Sequence, residues 1–326
     1  MSVEIHHFPE DHQLVKELSQ PNLLKGHARL APSLVPDQPA AVVRASNLAE
    51  LGLRVSVVIA ALDEEKNLPH VFSRLPVGLH EVIVVDGHST DRTVSVARAL
   101  RRDVRILTQT GSGKGNALAE GFAACTGDIV VSLDADGSTD PAEIPRFIAA
   151  LCNGADFVKG SRFAQGGATA DMTFIRILGN RVLNAVVNAL FGTHYTDLCY
   201  GYNAFWARCL PYMRVDCDGF EVETLINVRI AKAGLVVHEV PSYEHARMHG
   251  RSHLHAVRDG TRVLHTIAVE SRRRRRRGGW RSAESSAGPP GDGRARRVQL
   301  ASKVHEFQAR KQGGDHGLPL SMDVGR

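Results

Sequence analysis

The sequence Gly-Asp-Ile-Val-Val-Ser-Leu-Asp-Ala-Asp-Gly at residues 127–137 decides the fold of the chain. It is an apolar, β-branched run that ends in two carboxylates, so it predicts a buried strand that delivers Asp134 and Asp136 to the edge of a sheet. Mg²⁺ and Mn²⁺ take oxygen ligands and usually bind one or two carboxylates together with substrate phosphates. Asp and Gly are also common in polar turns. Metal binding and a simple turn are therefore both open at this stretch.

Three further strands are predicted upstream, and each is followed by a helical pattern. The strands are predicted at residues 55–59, 81–85 and 104–109, and the helices at 67–75, 92–100 and 111–125. Strands that alternate with helices predict an α/β fold with a mostly parallel central sheet and helices on both faces.

Acidic residues and one lysine follow the ends of these strands. In a parallel sheet, ligands bind beyond the carboxyl ends of the strands. We therefore expect one rim that contains Asp63, Glu65, Asp86, Lys114, Asp134 and Asp136. Asp63 and Glu65 would also suit the start of a helix, where the helix dipole favours acids.

The glycine-rich stretch at residues 111–117 matches neither of two familiar phosphate-binding loops. Thr108 stands where a P-loop has its first glycine, and Gly115 stands where a P-loop has Ser or Thr after the lysine. A dinucleotide-binding loop would follow the first strand, where this chain has acids. Glycines and a lysine at a helix N-terminus still suit an anion, because backbone N–H groups and the helix dipole favour negative charge.

The net charge of +5 and the pI near 9.1 come largely from one run of six arginines, from Arg272 to Arg277. The remainder of the chain is close to neutral, so the basic balance describes a tail and not the folded part. No aromatic platform accompanies the run, and we do not expect nucleic acid as a partner. A solvated charge block and attraction to an anionic membrane surface are the two interpretations of this run.

Cysteine usage and hydropathy indicate a cytoplasmic protein. Five cysteines form no CxxC pair, which is typical of reduced thiols. We find no run of roughly 18 uninterrupted apolar residues, and the most apolar helix candidate, at 182–191, carries Asn184 and Asn188. No signal pattern opens the sequence. We therefore expect a protein that touches the inner face of a membrane at most peripherally.

Composition divides the chain into three parts. Residues 1–50 lack a sustained period and predict a poorly ordered extension. Residues 51–270 contain the predicted strands and helices of one domain. Residues 271–326 are rich in Gly, Ser, Pro and charge and predict a basic, largely disordered tail.

Four motifs, in order and spacing, resemble the family 2 glycosyltransferases with a GT-A fold. They are Val-Ile-Ala-Ala-Leu-Asp-Glu-Glu at 58–65, Val-Val-Asp-Gly-His-Ser-Thr-Asp at 84–91, Gly-Lys-Gly-Asn-Ala at 113–117 and Asp-Ala-Asp at 134–136. Later motifs resemble the dolichol- and polyprenyl-phosphate mannosyltransferase branch, among them Val-Lys-Gly-Ser-Arg-Phe at 158–163, Thr-Asp-Leu-Cys-Tyr-Gly-Tyr at 196–202, Gly-Phe-Glu-Val-Glu at 219–223 and Arg-Met-His-Gly-Arg-Ser-His-Leu at 247–254. Ala61, Tyr200 and His253 replace the proline, serine and lysine usual in these motifs.

The resemblance implies a nucleotide-sugar donor, such as a GDP- or UDP-sugar, and a divalent metal, Mg²⁺ or Mn²⁺. It implies that Asp63, Glu65 and Asp86 bind the base and ribose of the donor, and that Lys114 lies near the base or a phosphate. Asp134 and Asp136 would serve the ribose and the metal. Arg162, Arg247 and Ser252 would face the phosphates of donor or acceptor. Asp197 would help to position the acceptor, unless it is a structural cap.

The resemblance also implies transfer with inversion at the anomeric carbon. A polyprenyl phosphate acceptor is already ionised and needs little help from a base. A hydroxyl acceptor, soluble or polymeric, would need a carboxylate such as Glu221 or Glu223 to take its proton. These two acids lie on opposite sides of a short segment, so at most one is expected in the site, and we assign Glu221. A nucleotide-sugar-binding protein without catalysis is a further alternative.

A zinc site is the remaining alternative at the end of the predicted domain. His245, His249 and His253 have the i, i+4, i+8 spacing of one helix face. Neighbouring Arg247 and Arg251 would repel a cation, and phosphate binding suits these arginines better.

Overall fold

A seven-stranded sheet forms the centre of the chain in the computed structural model, which describes residue 48 and residues 52–250 and 254–276. Its strands are β1 (Val55–Ala61), β2 (Glu81–Asp86), β3 (Arg105–Thr108), β4 (Ile129–Asp134), β5 (Phe157–Ser161), β7 (Asn203–Trp206) and β8 (Val237–Pro241). Two short strands, β6 (Ala168–Thr169) and β9 (Tyr243–Glu244), pair in parallel as a separate ribbon.

The helices connect these strands. They are α1 (Leu68–Ser73), α2 (Thr93–Leu100), α3 (Gly113–Ala124), α4 (Ile144–Cys152), α5 (Phe174–Phe191), α6 (Leu210–Met213), α7 (Val222–Lys232) and α8 (Ala256–Arg276). Single 3₁₀ turns, Pro141–Glu143 and Ala207–Cys209, lead into α4 and α6.

The strand order is β3-β2-β1-β4-β7-β5-β8, and within this sheet β7 runs antiparallel to both of its neighbours. The other pairs are parallel, which confirms the predicted α/β fold with a mostly parallel sheet. The register sets Ala61 opposite Asp86 and Ala60 opposite Asp134. The carboxyl ends of β1, β2 and β4 therefore reach the same edge of the sheet.

The central strands are buried along both of their faces. Every residue of β2 is buried, and so are nearly all residues of β1 and β4, which explains their continuous apolar runs. Phe205 on β7 lies between Phe122 of α3, edge-on at 5.3 Å between ring centroids, and Phe157 of β5, stacked at 5.5 Å. Each such buried side chain contributes about 1.5–3 kcal/mol relative to an exposed one. These contacts fix the antiparallel strand in the middle of the sheet.

Helix α5 departs from the sequence prediction. It begins at Phe174, well before residue 182, and over its 18 residues it is long and apolar enough to cross a membrane by length and composition. The helix is therefore longer than the predicted segment at 182–191, although it contains no run of 18 uninterrupted apolar residues. A count of uninterrupted apolar residues stops first at Arg176 and again at Asn180, Arg181 and Asn184. The two asparagines are buried against the domain. Length and composition alone do not distinguish a membrane span from a surface helix.

Helix α8 continues past the predicted domain boundary at residue 270 and ends at Arg276. The predicted N-terminal extension, apart from residue 48, lies outside the described residues, and so does the predicted tail beyond residue 276. Arg251, Ser252, His253 and Arg277 also lie outside the described residues.

Candidate active site

The carboxyl ends of β2 and β4 form a rim of acidic side chains. Asp86 is the last residue of β2 and is buried, and Asp134 is the last residue of β4 and is partly exposed. Asp136 lies in the turn after β4, where its Oδ1 accepts a hydrogen bond from the N–H of Ser138 at 2.9 Å. Asp136 therefore stabilises a turn and also lies at the acidic rim, so the two interpretations of the Asp-Ala-Asp stretch do not exclude each other.

Lys114 of α3 reaches this rim and pairs with two carboxylates. Its Nζ lies 2.6 Å from Asp134 Oδ1 and 2.9 Å from Glu223 Oε1. Burial lowers the pKa of Lys114, but the two carboxylates outweigh burial, so the pKa is raised and the ammonium stays charged. Asn203 of β7 donates to the other oxygen of Glu223 at 3.3 Å. The four side chains form one connected network.

The glycines around Lys114 serve a close backbone approach. A Cβ at Gly113 would lie 2.2 Å from the carbonyl oxygen of Asp218, and one at Gly115 would lie 2.1 Å from that of Cys217. The Gly115 N–H donates to the Asp218 carbonyl at 2.8 Å. The structure therefore corrects the interpretation of this loop as an anion site, because the backbone at 217–219 covers the N-terminus of α3.

Arg247, in the segment after β9, joins two of the acidic motifs. Its Nη2 lies 3.0 Å from Asp136 Oδ2, and its Nη1 lies 2.9 Å from Glu64 Oε1. Asn67 donates to the other oxygen of Glu64 at 2.5 Å. Burial lowers the pKa of Arg247, but Asp136 and Glu64 outweigh it and the pKa is raised. Burial also raises the pKa of the Glu64 carboxyl.

Backbone contacts hold the segment at 245–250 against the rim. The His245 N–H donates to the carbonyl of Ser138 at 2.8 Å, and the Asn67 side chain donates to the carbonyl of His249 at 3.2 Å. This segment therefore lies between the turn after β4 and the start of α1. Arg247 reaches Asp136 because its own backbone is fixed on both sides.

Asp63 and Glu65 shape the wall beside the rim. Asp63, at a left-handed φ of 55°, accepts a hydrogen bond from the Thr90 N–H at 2.7 Å. Glu65 accepts from the N–H and the Nε of Arg92, both at 3.1 Å. Between them, Glu64 is the side chain that reaches Arg247. Sequence reasoning missed Glu64, whose inward direction depends on the turn at Asp63.

Arg162 is buried in an ion-pair cluster. It binds Asp197 through both Nε and Nη2, at 2.6 and 2.9 Å, and Nη1 lies 2.9 Å from Glu244 Oε1. Its guanidinium also lies over the ring of Tyr200, 4.8 Å from the centroid. Burial raises the pKa of Asp197, but Arg162 outweighs burial and lowers it. In this arrangement Arg162 joins the loop at 196–202 to β5 and β9, and its guanidinium does not face the rim acids.

Glu223, and not Glu221, belongs to the rim network. Glu221 precedes the first residue of α7, where its Oε1 accepts from the Gly219 N–H at 3.2 Å. Its other oxygen is buried and has no hydrogen-bond partner among the described atoms. Glu223 instead points to Lys114, as given above. The structure therefore favours Glu223 over Glu221 as the acid nearest the rim.

Asp134 and Asp136 could together hold a divalent cation. Asp134 is paired with Lys114, and Asp136 is paired with Arg247. The two carboxylates therefore already attract positively charged groups of the protein. No cluster of three or more His, Cys, Asp or Glu side chains suited to a metal occurs among residues 52–250 and 254–276. Two carboxylates fit Mg²⁺ or Mn²⁺, which complete their coordination with water and substrate phosphates.

Comparison with known proteins identifies the family. The family model described as Glycosyl transferase family 2 matches residues 56–209, which include the Asp-Ala-Asp motif. The polyprenol monophosphomannose synthase of Mycolicibacterium smegmatis is 30% identical over 201 residues, which are 58% of this chain and 76% of that protein. The chain belongs to glycosyl transferase family 2.

Two further comparisons place this family 2 chain among its relatives. Glycosyltransferase AglJ of Haloferax volcanii is 34% identical over 187 residues, 56% of this chain and 60% of that protein. The chain thus spans less than two thirds of this relative's length. The glucosyl-3-phosphoglycerate synthase of Mycobacterium tuberculosis, solved with Mn²⁺, uridine diphosphate and glucosyl-3-phosphoglycerate, superposes with a TM-score of 0.56 at 26% identity over 69% of this chain and 82% of that one. The GT-A fold of the family is therefore present.

Proposed function

We propose that this protein transfers a sugar, with inversion, from a nucleotide-sugar to a polyprenyl phosphate. The rim carries the proposal, because Lys114 and Arg247 bring two fixed cations to the paired carboxylates Asp134 and Asp136. Cleavage of a sugar–diphosphate bond builds negative charge on the leaving nucleoside diphosphate, and fixed cations stabilise that charge as it forms. The name of the Mycolicibacterium relative, a polyprenol monophosphomannose synthase, supports the same chemistry.

Asp134 and Asp136 are the residues that would hold Mg²⁺ or Mn²⁺, which when bound would neutralise charge on the diphosphate. Lys114 fixes the direction of the Asp134 side chain, and its second pair with Glu223 holds the lysine in place. Arg247 presents a planar fork of N–H donors, which matches phosphate oxygens in a bidentate manner. The Mn²⁺ and uridine diphosphate in the structurally similar synthase support a metal and a nucleotide at this rim.

We assign the nucleoside of a GDP- or UDP-sugar to the wall near Asp86, where β1 and β2 end. Asp63 and Glu65 act there by holding the loop at 88–92. Ser252, outside the described residues, remains a proposed phosphate contact. Arg162 acts indirectly in this proposal, by fixing the loop that contains Asp197.

A polyprenyl phosphate is the favoured acceptor because Glu223, the candidate base nearest the rim among the described residues, is engaged by two protein partners. Glu223 is held in position between Lys114 and Asn203, whereas a proton-accepting base must reach the acceptor. A hydroxyl acceptor is the second candidate. It is favoured by the similarity to a glucosyl-3-phosphoglycerate synthase, whose named product carries the sugar on a small phosphorylated acid.

The proposed place of action is the cytoplasmic face of a membrane, with residues 51–270 as the transferase domain. Arg272 and Arg273, at the end of α8, are exposed and begin the basic run. Basic side chains near an anionic membrane contribute about 1 kcal/mol each.

Release of nucleoside diphosphate from a panel of GDP- and UDP-sugars tests the proposal, with Mn²⁺ or a chelator and with or without a short polyprenyl phosphate. We expect release that requires the metal and rises with the lipid phosphate, and Asp136→Asn should lower it by about 10²-fold or more. Arg74→Ala is the matched control, because Arg74 pairs with Asp140 outside the rim. If release of nucleoside diphosphate is unchanged by the lipid phosphate but rises with a hydroxyl acceptor, the polyprenyl phosphate acceptor is refuted and the hydroxyl acceptor is supported.

Glu223→Gln separates the two acceptors. With a lipid phosphate we expect turnover to fall by no more than about tenfold, because no proton has to be removed from the acceptor. With a hydroxyl acceptor that uses Glu223 as base, turnover should fall by about 10²- to 10⁴-fold.

A further inference from the structure

Helix α5 presents an apolar outer face that has no partner among the described residues. This outer face consists of Phe174, Ile175, Leu178, Val182, Ala185 and Ala189. The exposed fractions of its four large side chains, in the same order, are 77%, 74%, 52% and 54%. Single exposed apolar residues are ordinary, but a continuous stripe along a helix of about five turns marks an interaction surface.

The polar side of α5 faces the protein. Asn180 donates to Asp197 Oδ1 at 3.1 Å, and Asn188 donates to the carbonyl of Tyr195 at 2.9 Å. Asn184 donates to the carbonyl of Thr196 at 2.6 Å and accepts from the N–H of Leu198 at 2.8 Å. The inner side of α5 therefore combines these amides with apolar side chains such as the buried Val187, while the outer face is apolar as well.

This arrangement argues against a helix that crosses a membrane. If α5 left the domain to span a bilayer, Asn180, Asn184 and Asn188 would lose these partners and enter hydrocarbon with unsatisfied amides. A helix that stays on the domain can instead lie in the plane of the membrane interface, with its apolar side against the acyl chains. The same three asparagines fix the outer face relative to the loop at 195–198.

The exposed charged side chains of α5 itself and of its neighbour α8 are positive in the part of the chain that the structure describes. Helix α5 contains no acidic residue, and its Arg181 is exposed. The neighbouring helix α8 shares a buried apolar cluster with α5, and its exposed charged side chains in the described part are Arg258, Arg262, Arg272 and Arg273. The acids of α8, Asp259 and Glu270, are buried. A second copy docked here would bring like charges together, whereas anionic lipid headgroups complement them.

We propose that the outer face of α5 docks on a lipid bilayer with anionic headgroups. Its large side chains enter the boundary between headgroups and acyl chains, and Arg181 binds headgroups at its margin. The docked helix holds Asp197 and the loop that leads to Gly201, a residue next to Lys114 and Glu223. Docking would therefore bring the rim to the membrane that carries the proposed acceptor; that meaning rests on the proposed function, but lipid binding itself does not.

Co-sedimentation of the full chain with vesicles tests the surface. The vesicles contain phosphatidylcholine alone or with phosphatidylglycerol, and neither sugar donor nor polyprenyl phosphate is added. The test variant is Phe174→Glu with Val182→Glu, and the matched control is Val77→Glu, since Val77 is 66% exposed in the turn before β2. We expect the double variant to bind anionic vesicles at least about tenfold more weakly than the control. Thermal unfolding checks that both variants fold.

Binding through the arginine run alone would leave the double variant as tightly bound as the unaltered chain, and that result would overturn the proposal. So would a chain that ignores vesicles but forms a dimer dissociated by Val182→Glu, because the occupant would then be a second copy. Added salt gives an independent check, since apolar insertion persists when electrostatic attraction is screened. If the unaltered chain binds vesicles through α5 yet releases no nucleoside diphosphate with any donor, the surface stands and the proposed function fails.

Discussion

Removal of the Arg247 side chain should make Mn²⁺ bind more tightly while turnover falls. Arg247 lies 3.0 Å from Asp136 and 2.9 Å from Glu64, so its positive charge occupies the region where a divalent cation would find its ligands. In Arg247→Ala, a cation that approaches Asp136 meets no competing guanidinium. Sugar transfer loses the fork that we assign to the diphosphate, so the two measurements should move in opposite directions.

The magnitude follows from the charges. Two unit charges 4 Å apart interact by about 1 kcal/mol in water and about 4 kcal/mol at an effective dielectric constant of 20. The side chains of Arg247 and Asp136 are only 19% and 16% exposed but lie near the protein surface. We therefore take an interaction energy of about 2 kcal/mol, between these limits. This corresponds to a dissociation constant for Mn²⁺ that is about 30-fold lower in Arg247→Ala.

Isothermal titration calorimetry with Mn²⁺, without nucleotide, measures this change. Arg247→Lys keeps the charge and should stay within about threefold of the unaltered chain. Arg74→Ala removes a guanidinium from a bidentate pair outside the rim and should leave the affinity unchanged. If Arg247→Ala binds Mn²⁺ equally or more weakly, Arg247 supports the metal ligands and does not compete with the cation.

Three further predictions concern the scaffold of the site. Gly115→Ala should lower the free energy of unfolding in urea by about 1–3 kcal/mol, because the new Cβ would meet the Cys217 carbonyl. Gly179→Ala is the control, since Gly179 has open space around it and the substitution should be neutral or stabilising. Equal effects of the two substitutions would contradict the packing argument. Asp197→Asn should lower the free energy of unfolding by about 3–5 kcal/mol, because it leaves the buried Arg162 without its full ion-pair partner. The control Asp103→Asn, which weakens the more exposed pair with Arg101, should lower it by less than about 0.5 kcal/mol. Burial raises the pKa of Glu81, but bonds from Ser56, Thr126 and Arg105 outweigh it and lower the pKa to about 2, below its ordinary 4.5. The stability that this carboxylate contributes, about 1–3 kcal/mol, is therefore present above pH 4.5 and lost as the pH falls toward 2. The free energies of unfolding in urea of the unaltered chain and of Glu81→Gln should converge over that window. A difference that stays constant with pH would refute this prediction.

The elements that the sequence predicted well are those with local signals. Buried strands are recognisable as β-branched runs. The rule that ligands bind beyond the carboxyl ends of parallel strands predicted that Lys114 and Asp134 lie close together, and their Nζ and Oδ1 atoms are 2.6 Å apart. The position of β7 was not predictable in this way, because an antiparallel strand between β4 and β5 is chosen by pairing with residues far away in the chain.

Side-chain direction was the harder part of the site. Glu64 faces the rim because Asp63 adopts a left-handed φ, a feature without a clear signal in a run of three acids. The glycines near Lys114 suggested an anion-binding loop. In the structure they leave room for the backbone of Cys217 and Asp218, whose proximity to this loop the sequence does not show. Arg162 could be matched to a motif, but its burial depends on Glu244, a partner brought close by the pairing of β6 with β9.

The antiparallel strand β7 also governs how the polypeptide can be assembled. Strand β4 exposes one of its edges until residues 203–206 have been synthesised, and β5, made earlier, has to wait for the same strand before it joins the sheet. An unpaired edge in the middle of an apolar sheet is a template for aggregation. A nascent or proteolytic fragment that stops before β7 should therefore be insoluble. For the same reason, the parts of the sheet before and after β7 cannot be exchanged as independent modules by recombination at that point.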